Sequence, residues 1–546
     1  MNNHSNLENG KRWNGKEIET EENQKSKALK EIKLINQLDS IKLNPQKVLK
    51  SSTTAIPSQD NRGKFIVRNS TTGLLEVEGT GEIVRFASLC APDLFDNDGF
   101  EKEDTLRTIS GFGKIPVTRT YTLKITSKNV TRGHINGWDP IKADFLYDDE
   151  MFKSIDQTIA LASRNNVRLI IPIINQDFGS EETNWVGNFT DLIRLRRSLK
   201  TWQEAKMIDW WSDPESIDST RDPHCFLVSI DRKRVNTYTG IRIGDDPTIL
   251  AFETGNEMNS GGYKPAPAAW TLEIAAHIKR LAPKTLIMDG SFARCDSVEA
   301  SHEREVLQSN LVDIISWHYY GYGETDRLQY DVEIARKNGK VFMCGEYGFF
   351  ANASEVEKFL NKCATYGVSG TLIWSLRAHS SKGGFKTHGE GKGIWSYHAP
   401  GWLPYIDEFG SEPEWDYREK DVISVIRKAA FDLTSDMIIT PNLSAPYLFF
   451  VDGGKRFTWR GSAWADTYEI WGRCRRAGLV LLSDWINRVE YFYLGVNNMK
   501  EGRLKYSCQS IYDQVGGYGE LVYIKMRAVS TDDDRGPFSN LLGLKF

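Results

Sequence analysis

Between Gly63 and Leu433 the chain alternates short runs of apolar, often β-branched residues with longer stretches of helical character. An apolar run followed by a helical stretch is the pattern of a βα unit. Repeated units lay their strands side by side in a parallel sheet, because a parallel connection needs a crossover of a dozen residues or more. The candidate strands are Ile83–Leu89, Pro116–Thr122, Val167–Ile174, Thr248–Phe252, Thr285–Met288, Ile314–Trp317, Lys340–Cys344 and Ser369–Trp374. Eight such strands are the number at which the sheet closes as a TIM (β/α)8 barrel, so the expected fold class is α/β.

A barrel does not use all 546 residues. Residues 1–62 are rich in Asn, Lys, Glu and Ser and too poor in apolar groups to build a core, so a mostly disordered extension is expected there. Within it, Leu29, Ile32, Ile35, Leu38 and Ile41 recur every three residues across Lys27–Leu43, which predicts a short amphipathic helix. Residues 63–440 are assigned to the barrel. After Pro441 the pattern changes to short strands separated by Gly and Asp turns, including Phe457–Trp459, Thr467–Ile470 and Val522–Val529. Residues 441–546 are therefore expected to form a small all-β sandwich. Tyr523–Val529 followed by Gly536–Asn540 resembles the last two strands of a fibronectin type III module, and Trp459 the core Trp of an early strand. A structural role is expected for this domain, ahead of sugar binding.

Between candidate strands three and four lies a long excursion, Gln176–Asp246, with Trp185, Trp202, Trp210 and Trp211. Loops after barrel strands build the rim of the site, so this insertion is expected to shape the cleft. The 16 Trp, 21 Tyr and 25 Phe are mostly core filling, yet flat rings are also natural platforms for the apolar C–H faces of sugars. A net charge of −4 without a long basic block gives no sign of a nucleic-acid partner. No apolar stretch is long enough to span a membrane. The seven Cys are scattered, without paired metal-ligand spacing, so neither a disulfide framework nor a metal site is expected.

The chemistry is concentrated where the candidate strands end. Strand four runs into Glu253-Thr254-Gly255-Asn256-Glu257, and strand seven into Gly345-Glu346-Tyr347. Strand six ends His318-Tyr319-Tyr320, strand eight ends at Trp374, and strand two carries Arg119. Polar groups at strand C-termini of such a barrel meet at one mouth. Strands four and seven stand on opposite sides, so Glu257 and Glu346 can face each other across it. Two carboxyls flanking a bond, one protonated and one ionised, are what glycoside cleavage requires. An isolated Asn-Glu or Gly-Glu is usually a solvated turn; the ordered set is what points to chemistry.

The set Arg119, Asn256-Glu257, His318-x-Tyr320, Glu346 and Trp374 resembles glycoside hydrolase family 5. The segments Arg234–Gly240, Asp245–Leu250 and Tyr397–Trp402 look like its mannan endo-1,4-β-mannosidase-like branch. The resemblance implies a retaining glycosidase acting on a β-linked polysaccharide or oligosaccharide, β-1,4-mannan above all, without a cofactor and as a monomer. It implies Glu257 as acid/base and Glu346 as nucleophile, Asn256 on the sugar 2-OH, and Arg119 and Tyr320 on the Glu346 carboxylate. His318 would orient the acid/base, and Trp374 would be the floor under the −1 sugar. Trp185 is the further aromatic assigned to substrate.

The pattern also departs from the family. Cys90 stands near the end of strand one, where a polar or aromatic sugar contact is expected. His379–His398, with Phe385, His388 and Trp395, reads as an aromatic-lined rim loop. Alternatives are hydrolysis of another β-glycan, exo-action or transglycosylation, or a carbohydrate-binding barrel without turnover. Family resemblance implies an extracellular protein. Met1–Lys64 holds no apolar run of secretory-signal length, and taken literally the chain reads as cytoplasmic.

Overall fold

The computed structural model describes residues 62–546 apart from 177–180, 182–184, 212–233, 261–263, 293–298, 392–393, 402–418, 452, 454–455, 475–477, 488–505, 508–520 and 544–546. The N-terminal extension with its apolar stripe lies outside the described residues, as do Asp177–Gly179 and Trp402.

All eight expected strands form. Numbered along the chain, the barrel strands are β1 (Phe86–Leu89), β2 (Val117–Arg119), β3 (Arg168–Pro172), β4 (Ile249–Glu253), β5 (Leu286–Asp289), β6 (Ile314–Tyr320), β7 (Val341–Gly348) and β8 (Gly370–Ile373). Each pairs in parallel with its sequence neighbours from β2 round to β8, and β8 pairs with β1. The remaining seam between β1 and β2 is closed by Ala91 N–H on the Arg119 carbonyl (2.9 Å) and by Thr118 Oγ1 on the Leu89 carbonyl (2.8 Å). The result is a TIM barrel.

Side chains alternate along the strands as the pleat demands. On β7, Val341 and Met343 join a cluster with Phe86, Ile314 and Leu372, while Phe342 and Cys344 join the larger cluster that includes the outer helices. The first cluster fills the barrel lumen. Its base is extended by an antiparallel meander, Ile66–Asn69, Leu74–Val77 and Ile83–Val84, whose Ile66, Leu75, Val77 and Val84 belong to the same cluster. The expected strand Ile83–Leu89 is thus two strands, divided at Arg85, whose guanidinium donates to the carbonyls of Val368 (3.0 and 3.1 Å) and Ala364 (3.1 Å). Outside lie helices such as α1 (Gly99–Ile109), capped by Asp98, and α2 (Asp149–Arg164), capped by Asp148.

After the last barrel helix, Glu419–Asp432, the chain forms two antiparallel sheets. One contains Tyr447–Val451, Arg456–Arg460 and Tyr506–Ser507; in the other, Thr467–Cys474 lies between Gly478–Asn487 and Leu521–Val529. Leu448, Phe457 and Trp459 of the first share one core with Tyr468, Ile470, Ile524 and Met526 of the second. Ala463 and Trp464, between the two sheets, belong instead to the core of the barrel. Among the described residues, no helix is long and apolar enough to cross a membrane.

Candidate active site

Glu346 reaches the mouth through an irregularity in β7. By strict alternation it would share the outward face of Phe342 and Cys344. Pairing with β6 runs Trp317 to Cys344 and then His318 to Glu346, so Gly345 is an extra residue. Such a bulge re-aims the next side chain along the strand. Gly345 also lets the His318 ring approach: a Cβ there would stand 2.9 Å from Nε2.

The side chains singled out from the sequence converge. Arg119 is fully buried and donates Nη1 to Glu346 Oε1 (2.6 Å) and Nη2 to Asn256 Oδ1 (2.7 Å). Tyr320 donates its hydroxyl to Glu346 Oε2. His318 Nδ1 lies 2.6 Å from Glu257 Oε1 and 3.4 Å from Glu346 Oε2, between the two carboxyls. Trp374 meets the ring of Tyr121 edge-on (centroids 5.8 Å), and Tyr121 stacks on Trp185 (4.6 Å, 20° between planes). Trp185 is 44% exposed at this edge. Glu257 has φ +53°, a left-handed conformation costing an L residue about 1–2 kcal/mol, of the kind that clusters at functional sites.

Three contributors, Glu253, Asn175 and Tyr121, had no role assigned from the sequence. Glu253, the last residue of β4, takes Arg119 Nε (2.6 Å) and Nη2 (3.0 Å) on its two oxygens. Asn175 Oδ1 accepts from Asn256 Nδ2 (3.0 Å) and from the Tyr121 hydroxyl (3.1 Å), which fixes the Asn256 amide. The available signal was a charge ending an otherwise apolar run, Ile-Leu-Ala-Phe-Glu, since a buried charge must be paired.

Burial opposes the charge on Arg119, but Glu253 and Glu346 outweigh it and hold its pKa well above the usual value. Burial, reinforced by Glu346, pushes the Tyr320 phenol well up, so it stays a donor. Burial lowers the His318 pKa, with Glu346 opposing, which favours a neutral imidazole.

Oxygens of Glu257 and Glu346 and Nδ1 of His318 lie within 4.8 Å of one another, a spacing a cation could use. Both oxygens of Glu346 already accept, however, one from a guanidinium and one from a phenol. The triangle is accounted for as a hydrogen-bonded carboxyl pair.

Other expectations are corrected by packing. Cys90 is completely buried, its Sγ turned to the Gly345 carbonyl (3.6 Å), and burial holds it as a thiol. Trp202 is buried within the insertion, and Trp210 stacks on Phe189 (4.7 Å) beside a cavity that it lines with Gln176, Trp211 and Asn259. Both ends of the stretch His379–His398 are packed. His379 pairs with Asp104 (3.0 Å) and His398 with Glu419 (2.9 Å), and Phe385 contacts both rings. Arg234 clasps Asp156 of α2 through Nε (3.1 Å) and Nη2 (2.9 Å).

With this geometry in hand, a profile described as "GH family 5 beta-mannosidase-like" matches residues 141–346. That stretch holds Asn256, Glu257, His318, Tyr320 and Glu346. Over that stretch the chain is similar to glycoside hydrolase family 5. A putative mannan endo-1,4-beta-mannosidase 5 of Oryza sativa subsp. japonica is 32% identical over 160 residues, which are 28% of this chain and 30% of the relative. Mannan endo-1,4-beta-mannosidase 3 of Solanum lycopersicum is 23% identical over 291 residues, covering 43% of this chain and 65% of that protein. The match thus spans less than two thirds of either relative. Among solved structures, the family 5 mannosidase of Rhizomucor miehei superposes with a TM-score of 0.50 at 16% identity, over 69% of this chain and 100% of that one. This last likeness concerns the fold.

Proposed function

We propose that this chain is a retaining glycoside hydrolase that cleaves β-1,4-mannan by double displacement, with Glu346 as nucleophile and Glu257 as acid/base. The observation carrying this reading is the asymmetry of the two carboxyls. Glu346 accepts on one oxygen from Arg119 and on the other from Tyr320. Glu257 faces Nδ1 of His318 (2.6 Å), whose pKa burial lowers, and is read as the donor to the leaving oxygen. Their nearest oxygens lie within 4.8 Å, in keeping with the roughly 5–5.5 Å carboxyl spacing of retaining enzymes.

Glu346 attacks the anomeric carbon as Glu257 protonates the departing oxygen. Glu257 then takes a proton from water, which releases the sugar with its configuration retained. Asn256, held by Arg119 and Asn175, hydrogen-bonds the 2-OH; Trp374 underlies the reacting sugar, and the exposed ring of Trp185 offers a further stacking face. The mannan preference rests on the names of the relatives. The two C-terminal sheets are read as a fibronectin type III-like sandwich.

The test is product analysis on β-1,4-mannan, glucomannan and β-glucan, with NMR before mutarotation. A β-anomer released first from mannan is expected. An initial α-anomer overturns double displacement, release only from β-glucan overturns the substrate, and no release from any polymer favours a binding barrel.

A further inference from the structure

Trp374 opens the segment after β8, and that segment is held from two sides. From the barrel, Asp104 of α1 accepts the His379 amide (2.9 Å), and Glu101 of α1 accepts the Ser381 amide (3.1 Å). Asp93 pairs with Arg377 (3.3 Å), whose Nη1 donates to the hydroxyl of Ser375, next to Trp374 (2.7 Å). The chain then turns tightly at Ser380–Gly384, with Gly383 N–H on the Ser380 carbonyl (3.0 Å).

The second side is the C-terminal domain. Along its strand Arg456–Arg460, Phe457 and Trp459 enter the domain's own core, so alternation sends Thr458 and Arg460 to the opposite face. Arg460 donates Nε to the Ser381 carbonyl (2.7 Å). Thr458 lies so near the turn that a Cβ on Gly383 (φ +91°) would come within 2.3 Å of its hydroxyl. The Arg460 guanidinium also lies 5.5 Å from the ring of Phe100 in α1 and 5.4 Å from Tyr447 of its own sheet. One side chain therefore joins the C-terminal sheet, the first barrel helix and the turn after β8.

We propose that the C-terminal domain positions the segment after β8, through Arg460, so that it acts as part of the catalytic unit. Arg460 is a positioning residue in this arrangement: it works through Ser381 and the turn on the run that begins at Trp374.

Hydrogen exchange of the full chain, wild type against Arg460→Ala, tests this without any substrate. Losing the charge-assisted bond is expected to speed exchange about tenfold at the bonded amides of His379, Gly383 and Lys386. Peptides from β3 to β5 should be unchanged. Unaltered exchange at 377–386 overturns the proposal. Should Arg460→Ala unfold, Arg460→Lys replaces it, with a smaller acceleration confined to the same peptides expected and an unchanged pattern again overturning the idea. Turnover gives the second reading: in the folded variant kcat/KM should fall with the unfolding midpoint nearly constant, and an unchanged kcat/KM counts against coupling to the site. A wild type inactive on every β-mannoside would remove the proposed function, while exchange at 377–386 would still decide this one.

Discussion

Arg119 and Glu253 meet as a two-pronged pair with neither side chain exposed, Nε on Oε2 at 2.6 Å and Nη2 on Oε1 at 3.0 Å. The geometry leaves Nη1 for Glu346 and fixes the plane in which it is offered. Glu253 also shares the neutralisation of the guanidinium, so the proposed nucleophile is not its sole counter-ion. Glu253→Gln removes that charge and keeps the shape. Breaking a buried pair from one side costs about 3–5 kcal/mol, a loss expected in urea unfolding. Activity should fall with it, and a variant as stable as wild type would contradict this account.

The two carboxyls should separate by leaving group. Glu257→Ala is expected to lose turnover of natural glycans but keep substantial activity on aryl β-mannosides with acidic phenols, which need little protonation to depart. Glu346→Ala should lose both. Parallel kinetics on the two substrate kinds decides it, and equal losses for Glu257→Ala would remove the acid/base assignment.

The barrel was legible because each strand is a contiguous apolar run, and such runs survive in the sequence whatever they pack against. The site was legible for a related reason: Glu257, Glu346, His318, Tyr320, Trp374 and Arg119 stand at or near strand ends, and the closed sheet brings those ends together. What was hidden depends on partners distant in sequence. Glu253 was visible as a charge, but its role exists only through Arg119, 134 residues away. The bulge at Gly345 appears only in the register with β6. Trp202 and Trp210 looked like Trp185 in the sequence, and only burial separates them. Nothing in residues 441–546 announced that Trp464 completes the barrel's core.

Acid should weaken the fold through His134. Its Nδ1 accepts the Lys124 amide (3.0 Å), and burial, with help from Lys124, lowers its pKa from 6.5 to about 3. The folded chain therefore resists a proton that the unfolded chain takes up. The neutral ring's contribution is intact above pH 6.5 and is lost progressively as pH falls from there towards 3. Between pH 7 and pH 4 the loss from this group is roughly 3 kcal/mol. Urea unfolding across that range should show the decline, and His134→Gln should flatten it by about one proton's slope. An equally steep curve in the variant would place the titration elsewhere.

Trp464 should determine whether the barrel and the C-terminal domain unfold together. It is 2% exposed, donates Nε1 to the Thr108 carbonyl at the end of α1 (3.0 Å), and packs on Phe112 (5.2 Å) beneath the guanidinium of Arg427 (4.4 Å). Removing the ring leaves a cavity between α1 and the last barrel helix and an unmet carbonyl. A buried Trp→Ala change costs about 3–5 kcal/mol. That loss falls on the contact between the two parts more than on either core. The wild type is expected to melt in one calorimetric transition, and Trp464→Ala in two, with the C-terminal transition moved to lower temperature. Deleting residues 441–546 should for the same reason expose the barrel's flank and lower its midpoint, in contrast to the loss of an independent module. A truncated barrel that melts as the full chain does would make Trp464 a passive contact.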